Sequence, residues 1–155
     1  MGFLDKAIDK LKTDSGKMEA KDQLLDFLKD AYLGESVTLA QLEKEAKFNP
    51  YDHLKDELNK IIREEKKHVK QIKEWIEEMN GAVPQVDIPE SELSAYSTLG
   101  DIIKRKLEIY DDFAEIMNIL DNNYLEDELL KLKKIKDEEK SHIDRLDDIM
   151  TKFNA

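Results

Sequence analysis

Two stretches of the chain, one in each half, carry the same short motif. Residues 61–76 read IIREEKKHVKQIKEWI and residues 135–150 read IKDEEKSHIDRLDDIM. Glu65 is followed three positions later by His68, and Glu139 is followed in the same way by His142. In an α-helix this spacing places the carboxylate and the imidazole on adjacent turns of one face. Both groups can then ligate a cation on that side of the helix.

Apolar residues recur at helical spacing around three glutamates. At about 100° per residue, Glu65, Glu139 and Glu35 each fall within an apolar stripe. The stripes comprise Leu58, Ile61, Ile62, Val69, Ile72 and Ile76 around Glu65, Leu125, Leu132, Ile135, Ile143, Leu146 and Met150 around Glu139, and Leu28, Ala31, Tyr32, Leu39 and Leu42 around Glu35. Buried carboxylates without a partner are costly, so these three require a cation, a proton or a basic side chain. A pair of metal ions is the simplest answer.

The composition favours long helices in one compact unit. The chain has 155 residues, of which 39% are charged, with five glycines and three prolines. The apolar stripes predict helices over about 17–47, 49–81, 91–121 and 124–153. Pro84 and Pro89 make 81–90 the one long connection, because proline disfavours a continuous helix. The prediction is an all-α, antiparallel four-helix bundle with two short turns and one long crossover.

A short amphipathic helix is predicted before the bundle. Leu4, Ile8 and Leu11 share one side of residues 3–12, and Gly16 follows as a helix-stopping glycine. Asp and Lys alternate on its polar face, which favours docking on the bundle or at a subunit contact over a membrane surface. The predicted division is therefore 1–16 for this helix and 17–155 for the bundle.

Charge and cysteine content exclude several classes of function. The chain has no cysteine, which excludes disulfides, thiolate metal sites and cysteine nucleophiles. A formal net charge of −11 argues against nucleic acid as a partner, because no basic excess is present to bind phosphates. No apolar run is long enough for a transmembrane segment, and the first residues do not resemble a secretion signal. We therefore expect a cytoplasmic protein.

The motifs together resemble those of one family. Gly34-Glu35-Ser36 and the two Glu-x-x-His motifs resemble the rubrerythrin branch of the ferritin-like superfamily, over roughly residues 18 to 153. The resemblance implies a ferritin-like bundle and a di-iron carboxylate site that reacts with peroxide or dioxygen. It also implies the metal ligands, which would be Glu35, Glu65, His68, Glu139 and His142. Without cysteines there is no rubredoxin-like domain, so electrons would come from a separate donor.

The third helix of the bundle departs from the family pattern. The family has a fourth inward carboxylate there, and Glu108 is nearest by chain position, but the apolar stripe of this helix centres on Lys106. Either a π-bulge turns Glu108 inward or Lys106 replaces the ligand, and regular helical geometry favours Lys106. Tyr32 and Tyr110 are predicted to line the site, where packing with a bonded hydroxyl is favoured over proton or electron transfer.

Two functions from different classes remain open. The first is a protein with two metal ions, iron first and manganese, cobalt or zinc as alternatives, that reduces hydrogen peroxide or dioxygen, or oxidises Fe(II), with an external electron donor. It would be a peroxidase, an oxidase or a ferroxidase. The second is a non-catalytic bundle, metal-binding or metal-free, in which Lys106 pairs with the buried carboxylates. A homodimer is compatible with the acidic exterior.

Overall fold

The chain forms a bundle of four α-helices. The computed structural model describes the backbone of residues 3–89, 93 and 98–154, and the side chains of residues 15–89, 93 and 98–152. The helices are α1 (Phe3–Phe48), α2 (Asp52–Glu78), α3 (Leu99–Asn122) and α4 (Glu126–Asn154). No strand occurs within this described part of the chain. The prediction of an all-α four-helix bundle is confirmed.

The helices are arranged as a square in which every neighbour is antiparallel. α1 and α4 each pack against α2 and α3, and within the described residues the backbones of diagonal helices do not approach each other closely. The ion pairs Glu57–Lys152 and Glu78–Lys131 join opposite ends of α2 and α4, which therefore run antiparallel. Short connections make α1 and α2, and α3 and α4, antiparallel as well. α2 and α3 consequently run parallel, and the connection between them crosses the length of the bundle, as predicted.

Two helix ends use a residue in the left-handed conformation. At the end of α2, Gly81 N–H donates to the Ile76 carbonyl and Asn80 N–H to the Glu77 carbonyl, both at 2.9 Å. This pair of hydrogen bonds requires a positive φ at Asn80, which is 58°. The same pair of bonds forms after α3, with Tyr124 at φ 59°. Both turns thereby satisfy carbonyls that the helix leaves without partners.

The predicted helix end near Gly16 is wrong, because α1 continues through it without a break. A Cβ atom at Gly16 would lie 2.8 Å from Oδ1 of Asn123, in the turn between α3 and α4. The glycine therefore allows a close approach between two elements and does not stop the helix. The predicted apolar face of residues 3–12 and the predicted start of the third helix near Ser91 fall outside the described residues. The division at residue 16 remains a prediction.

A polar layer separates two apolar clusters in the core. The first cluster includes Leu24, Leu28, Ile72, Trp75, Phe113, Leu120 and Leu132. The second includes Leu42, Leu58, Ile61, Ile102, Ile103, Leu146 and Ile149. On every helix a buried charged residue lies between the two clusters: Glu35 on α1, Glu65 on α2, Lys106 on α3 and Glu139 on α4. The candidate site therefore lies at mid-height of the bundle.

None of the helices described combines the length and the apolar character that crossing a membrane requires.

Candidate metal centre

Lys106 lies at the centre of the polar layer. Its Nζ donates to Glu35 Oε2 at 3.0 Å, to Glu65 Oε1 at 2.7 Å and to Glu139 Oε1. All four side chains are at most 1% exposed. Glu108, by contrast, is exposed. Of the two alternatives left open for α3, the structure therefore places Lys106 at the site.

Local sequence brings α1 and α3 close together beside this layer. A Cβ atom at Gly34 would lie 2.8 Å from Cδ1 of Ile109, so the glycine leaves room for that side chain. Glu35 follows Gly34 directly and is brought within reach of Lys106. One turn further, the Thr38 hydroxyl donates to the Glu35 backbone carbonyl at 2.9 Å.

Each histidine contacts the glutamate of the other motif. His142 Nδ1 lies 2.6 Å from Glu65 Oε1 with hydrogen-bond geometry. His68 Nδ1 lies 3.3 Å from Glu139 Oε2, but this contact is not aligned as a hydrogen bond. The two rings are 5.8 Å apart between centroids and nearly perpendicular, at 86°. The motifs of α2 and α4 therefore contact each other across the bundle.

A second pair of glutamates lies outside the histidines. Glu64 Oε2 is 3.0 Å from His142 Nε2 and is also paired with the guanidinium of Arg145. Glu138 Oε2 is 3.6 Å from His68 Nε2. Carboxylates behind a histidine commonly orient it as a metal ligand. Both residues fall outside the apolar stripes, because they lie at the margin of the core, although the Glu-Glu pair in each motif was a visible signal.

A pocket connects the histidines with solvent. It has a volume of about 330 Å³ and is lined by His68, His142, Glu64, Glu138 and Arg145, among others. The outer glutamates give its mouth two carboxylates that can attract a cation. The histidine edge is therefore the side from which the described part of the site is accessible.

Several buried donor and acceptor atoms have no hydrogen-bond partner. They are Glu35 Oε1, Glu65 Oε2, Glu139 Oε2 and both ring nitrogens of His68. Buried polar atoms are normally paired, so a set of this kind indicates a missing partner. Glu65, His68, Glu139 and His142 each offer one ligand atom, and these four atoms lie within 4.8 Å of one another. The residues fit a transition metal that accepts nitrogen and oxygen ligands.

Burial and the neighbouring charges shift the pKa values of Lys106, Glu35 and Glu65. Burial, which would lower the pKa of Lys106, is outweighed by the three carboxylates, and this pKa is raised well above its usual range. Burial and repulsion from Glu139 raise the pKa of Glu35 well above its ordinary value. Burial would also raise the pKa of Glu65, but the charge of Lys106 and the His142 hydrogen bond lower it to about 2. Glu35 is therefore the carboxyl group of this cluster whose pKa is raised, whereas the pKa of Glu65 is lowered.

In the second glutamate–histidine pair, Glu139 and His68, each group also shifts the pKa of the other. Burial would raise the pKa of Glu139, but Lys106 and the nearby His68 ring hold that pKa below its usual range. Burial would lower the pKa of His68, but contact with Glu139 and the charge of that carboxylate raise it. Of the three carboxyl groups in contact with Lys106, two therefore have a lowered pKa and one, Glu35, has a raised pKa.

The two tyrosines lie on opposite sides of the polar layer. Tyr32 packs against the first apolar cluster and Tyr110 against the second, with the Lys136 ammonium 5.1 Å from the Tyr110 ring centroid. No hydrogen bond of the described residues joins either hydroxyl to the site carboxylates or histidines. That Tyr32 and Tyr110 line the site remains a prediction. Gln41, which was not predicted from the sequence, is 1% exposed, and its side-chain amide atoms have no hydrogen-bond partner.

Comparison of the chain with models of known protein families, with curated proteins and with solved structures finds no match. The resemblance to rubrerythrins therefore stays a prediction based on the motifs. What the geometry establishes is a four-helix bundle with a buried cluster of glutamates and histidines that can hold a metal.

Proposed function

We propose that the chain is a non-haem metal–carboxylate redox protein. Its ligands would be Glu65, His68, Glu139 and His142, with Glu35 beside them. The single observation that carries this proposal is the set of four buried ligand atoms within 4.8 Å of one another. A structural core would be more stable with apolar side chains at these positions.

The proposed reaction is reduction of hydrogen peroxide or dioxygen with electrons from a separate donor. Bound iron, or manganese or cobalt, supplies the redox chemistry. Reduction of hydrogen peroxide to two water molecules consumes two electrons and two protons. The pocket beside His68 and His142 supports this reaction, because it provides an access route for a small oxidant.

Anaerobic loading tests this proposal. Protein incubated with Fe(II) and freed of excess metal is expected to retain iron and then to consume hydrogen peroxide in the presence of a reductant. Glu65→Gln and Glu139→Gln keep the side-chain shape and are expected to abolish tight iron binding, because each removes an anionic ligand. Glu77→Gln, at an exposed position of the same helix α2, is the matched control and is expected to bind iron normally.

A failure of the wild-type protein to bind metal would contradict this proposal. If the wild-type protein retains no iron, manganese, cobalt or zinc at a pH where the histidines are neutral, the redox proposal is wrong. Oxidation of Fe(II) uses the same site with iron as substrate. Turnover of many equivalents of Fe(II) per chain with dioxygen, and no reductant-dependent peroxide consumption, would assign that reaction instead.

A specific observation also favours a metal-free bundle as the second candidate. The Lys106 ammonium contacts all three buried carboxylates and supplies part of the positive charge that a metal would provide. In this alternative the cluster is structural, and no divalent ion raises the stability of the folded protein.

A further inference from the structure

The geometry points to a centre for one divalent metal ion, with the Lys106 ammonium as a permanent second cation. The ion would be bound by Glu35, Glu65, Glu139 and His68. Glu35 thus replaces His142 in the ligand set proposed above, and His142 is a positioning residue. This inference rests on the metal binding proposed above and specifies its stoichiometry and ligands.

The carboxylate oxygens divide into two sets. Lys106 Nζ contacts Oε2 of Glu35, Oε1 of Glu65 and Oε1 of Glu139. The second oxygen of each of these glutamates is buried and has no hydrogen-bond partner. Each carboxylate thus gives one oxygen to the ammonium and keeps the other available. An ammonium has three N–H donors, so three of the six carboxylate oxygens remain for another partner.

The formal charges of the same residues favour one ion. Metal ligands are ionised when the metal is bound, so Glu35, Glu65 and Glu139 contribute three negative charges. Lys106 contributes one positive charge, which leaves two negative charges for a divalent ion to balance. A second divalent ion would leave two uncompensated positive charges in a buried site, which is costly.

The two histidines are not equivalent. Both ring nitrogens of His142 lie at hydrogen-bond distance from carboxylates, Nδ1 from Glu65 and Nε2 from Glu64. Neither ring nitrogen of His68 has a hydrogen-bond partner, although the residue is 1% exposed. Its Nδ1 lies 3.3 Å from Glu139 Oε2, which is itself one of the unpartnered oxygens. His68 is therefore the imidazole that is free to bind the ion.

Equilibrium dialysis against Co(II) under anaerobic conditions measures the stoichiometry directly. We expect one tightly bound equivalent per wild-type chain, counted by elemental analysis. Lys106→Glu removes the ammonium and adds a carboxylate, and is expected to bind two equivalents. Lys106→Met frees the same oxygens without adding a ligand, and is expected to bind its second equivalent more weakly than Lys106→Glu does.

The histidine variants test the ligand assignment separately. His68→Ala is expected to raise the Kd for Co(II) by at least about 100-fold, whereas His142→Ala is expected to raise it by about 10-fold, as for a residue that orients a ligand. The visible spectrum of bound Co(II) is expected to change with His68→Ala and to persist with His142→Ala. His53→Ala, at the exposed third histidine, is the control and leaves both readouts unchanged.

Four outcomes separate the possibilities. Two tightly bound equivalents in the wild type, or equal losses from His68→Ala and His142→Ala, would overturn the single-ion inference while leaving metal binding intact. The inference would also be overturned if the wild type and folded, helical Lys106→Glu and Lys106→Met proteins all bind one equivalent. Lys106 would then not limit the number of bound ions. No binding by the wild type would overturn the proposed function together with this inference. If the lysine variants fail to fold, the wild-type count and the histidine pair still decide the question.

Discussion

At the scale of single residues, the charge balance of the core depends on Lys106. Its ammonium is the only described cation in contact with the three buried carboxylates, apart from the histidines when these are protonated. Removing one partner from a buried ionic cluster leaves the remaining charges without compensation, which destabilises far more than the cluster itself stabilises. The stability of the metal-free protein should therefore depend strongly on this side chain.

Lys106→Met is expected to lower the free energy of unfolding of the metal-free protein by about 3 to 5 kcal/mol, the range for breaking a buried ion pair. The measurement is urea unfolding followed by circular dichroism in the presence of a chelator. Lys104→Met, at an exposed position on the same helix, is the control and is expected to change little. A similar small loss for both variants would contradict the central position of Lys106.

The acid dependence of stability follows from Glu65. Its pKa is about 2 in the folded protein, against an ordinary unfolded value of about 4.3. A lowered pKa stabilises the fold above the unfolded value, and this contribution is lost as the pH falls through about 4 towards 2. Between pH 5 and pH 2 the free energy of unfolding of the wild type falls. Glu65→Gln is expected to make this fall smaller by about 2 to 3 kcal/mol. The control Glu77→Gln keeps the wild-type slope, and an unchanged slope in Glu65→Gln would refute the assignment.

At the scale of the elements, the turns after α2 and α3 are built in the same way but use different residues. Asn80 has φ 58° and Tyr124 has φ 59°. Asparagine tolerates the left-handed conformation, whereas tyrosine is disfavoured there. The Tyr124 side chain is 74% exposed, so packing contributes little to offset the strain.

Tyr124→Gly is therefore expected to raise the free energy of unfolding by about 1 kcal/mol, because glycine adopts a positive φ without steric cost. Asn80→Gly tests the same conformation in a residue that already tolerates it, and is expected to change stability by only a few tenths of a kcal/mol. Urea unfolding measures both variants. A destabilised Tyr124→Gly protein would show that the tyrosine side chain contributes more than its backbone conformation costs.

The elements also show what the sequence could predict. Glu35, Glu65, Glu139 and Lys106 were all placed in the core correctly, because each lies at the centre of an apolar stripe and the period of an α-helix is fixed. Gly16 was misinterpreted, since a glycine that ends a helix and one that admits a neighbouring side chain look the same in sequence. Only the position of Asn123, brought there by the fold, distinguishes them.

At the scale of the whole molecule, the bundle encloses a polar layer between two apolar clusters. The order of elements and the long crossover could be predicted, because Pro84 and Pro89 both fall in one connection. The pairing of His68 with Glu139 and of His142 with Glu65 could not, because it depends on how α2 and α4 meet across the bundle. The outer glutamates Glu64 and Glu138 were missed because they lie at the partly exposed margin of the core.

The central claim is that this polar layer binds a metal ion. Anomalous X-ray scattering at the cobalt edge, from crystals grown with Co(II), tests it most directly. We expect one strong anomalous peak inside the bundle, about 2.0 to 2.2 Å from oxygens of Glu65 and Glu139 and from a nitrogen of His68, the usual range for such ligands. Anomalous peaks confined to surface carboxylates, with Lys106 still contacting all three glutamates, would contradict it.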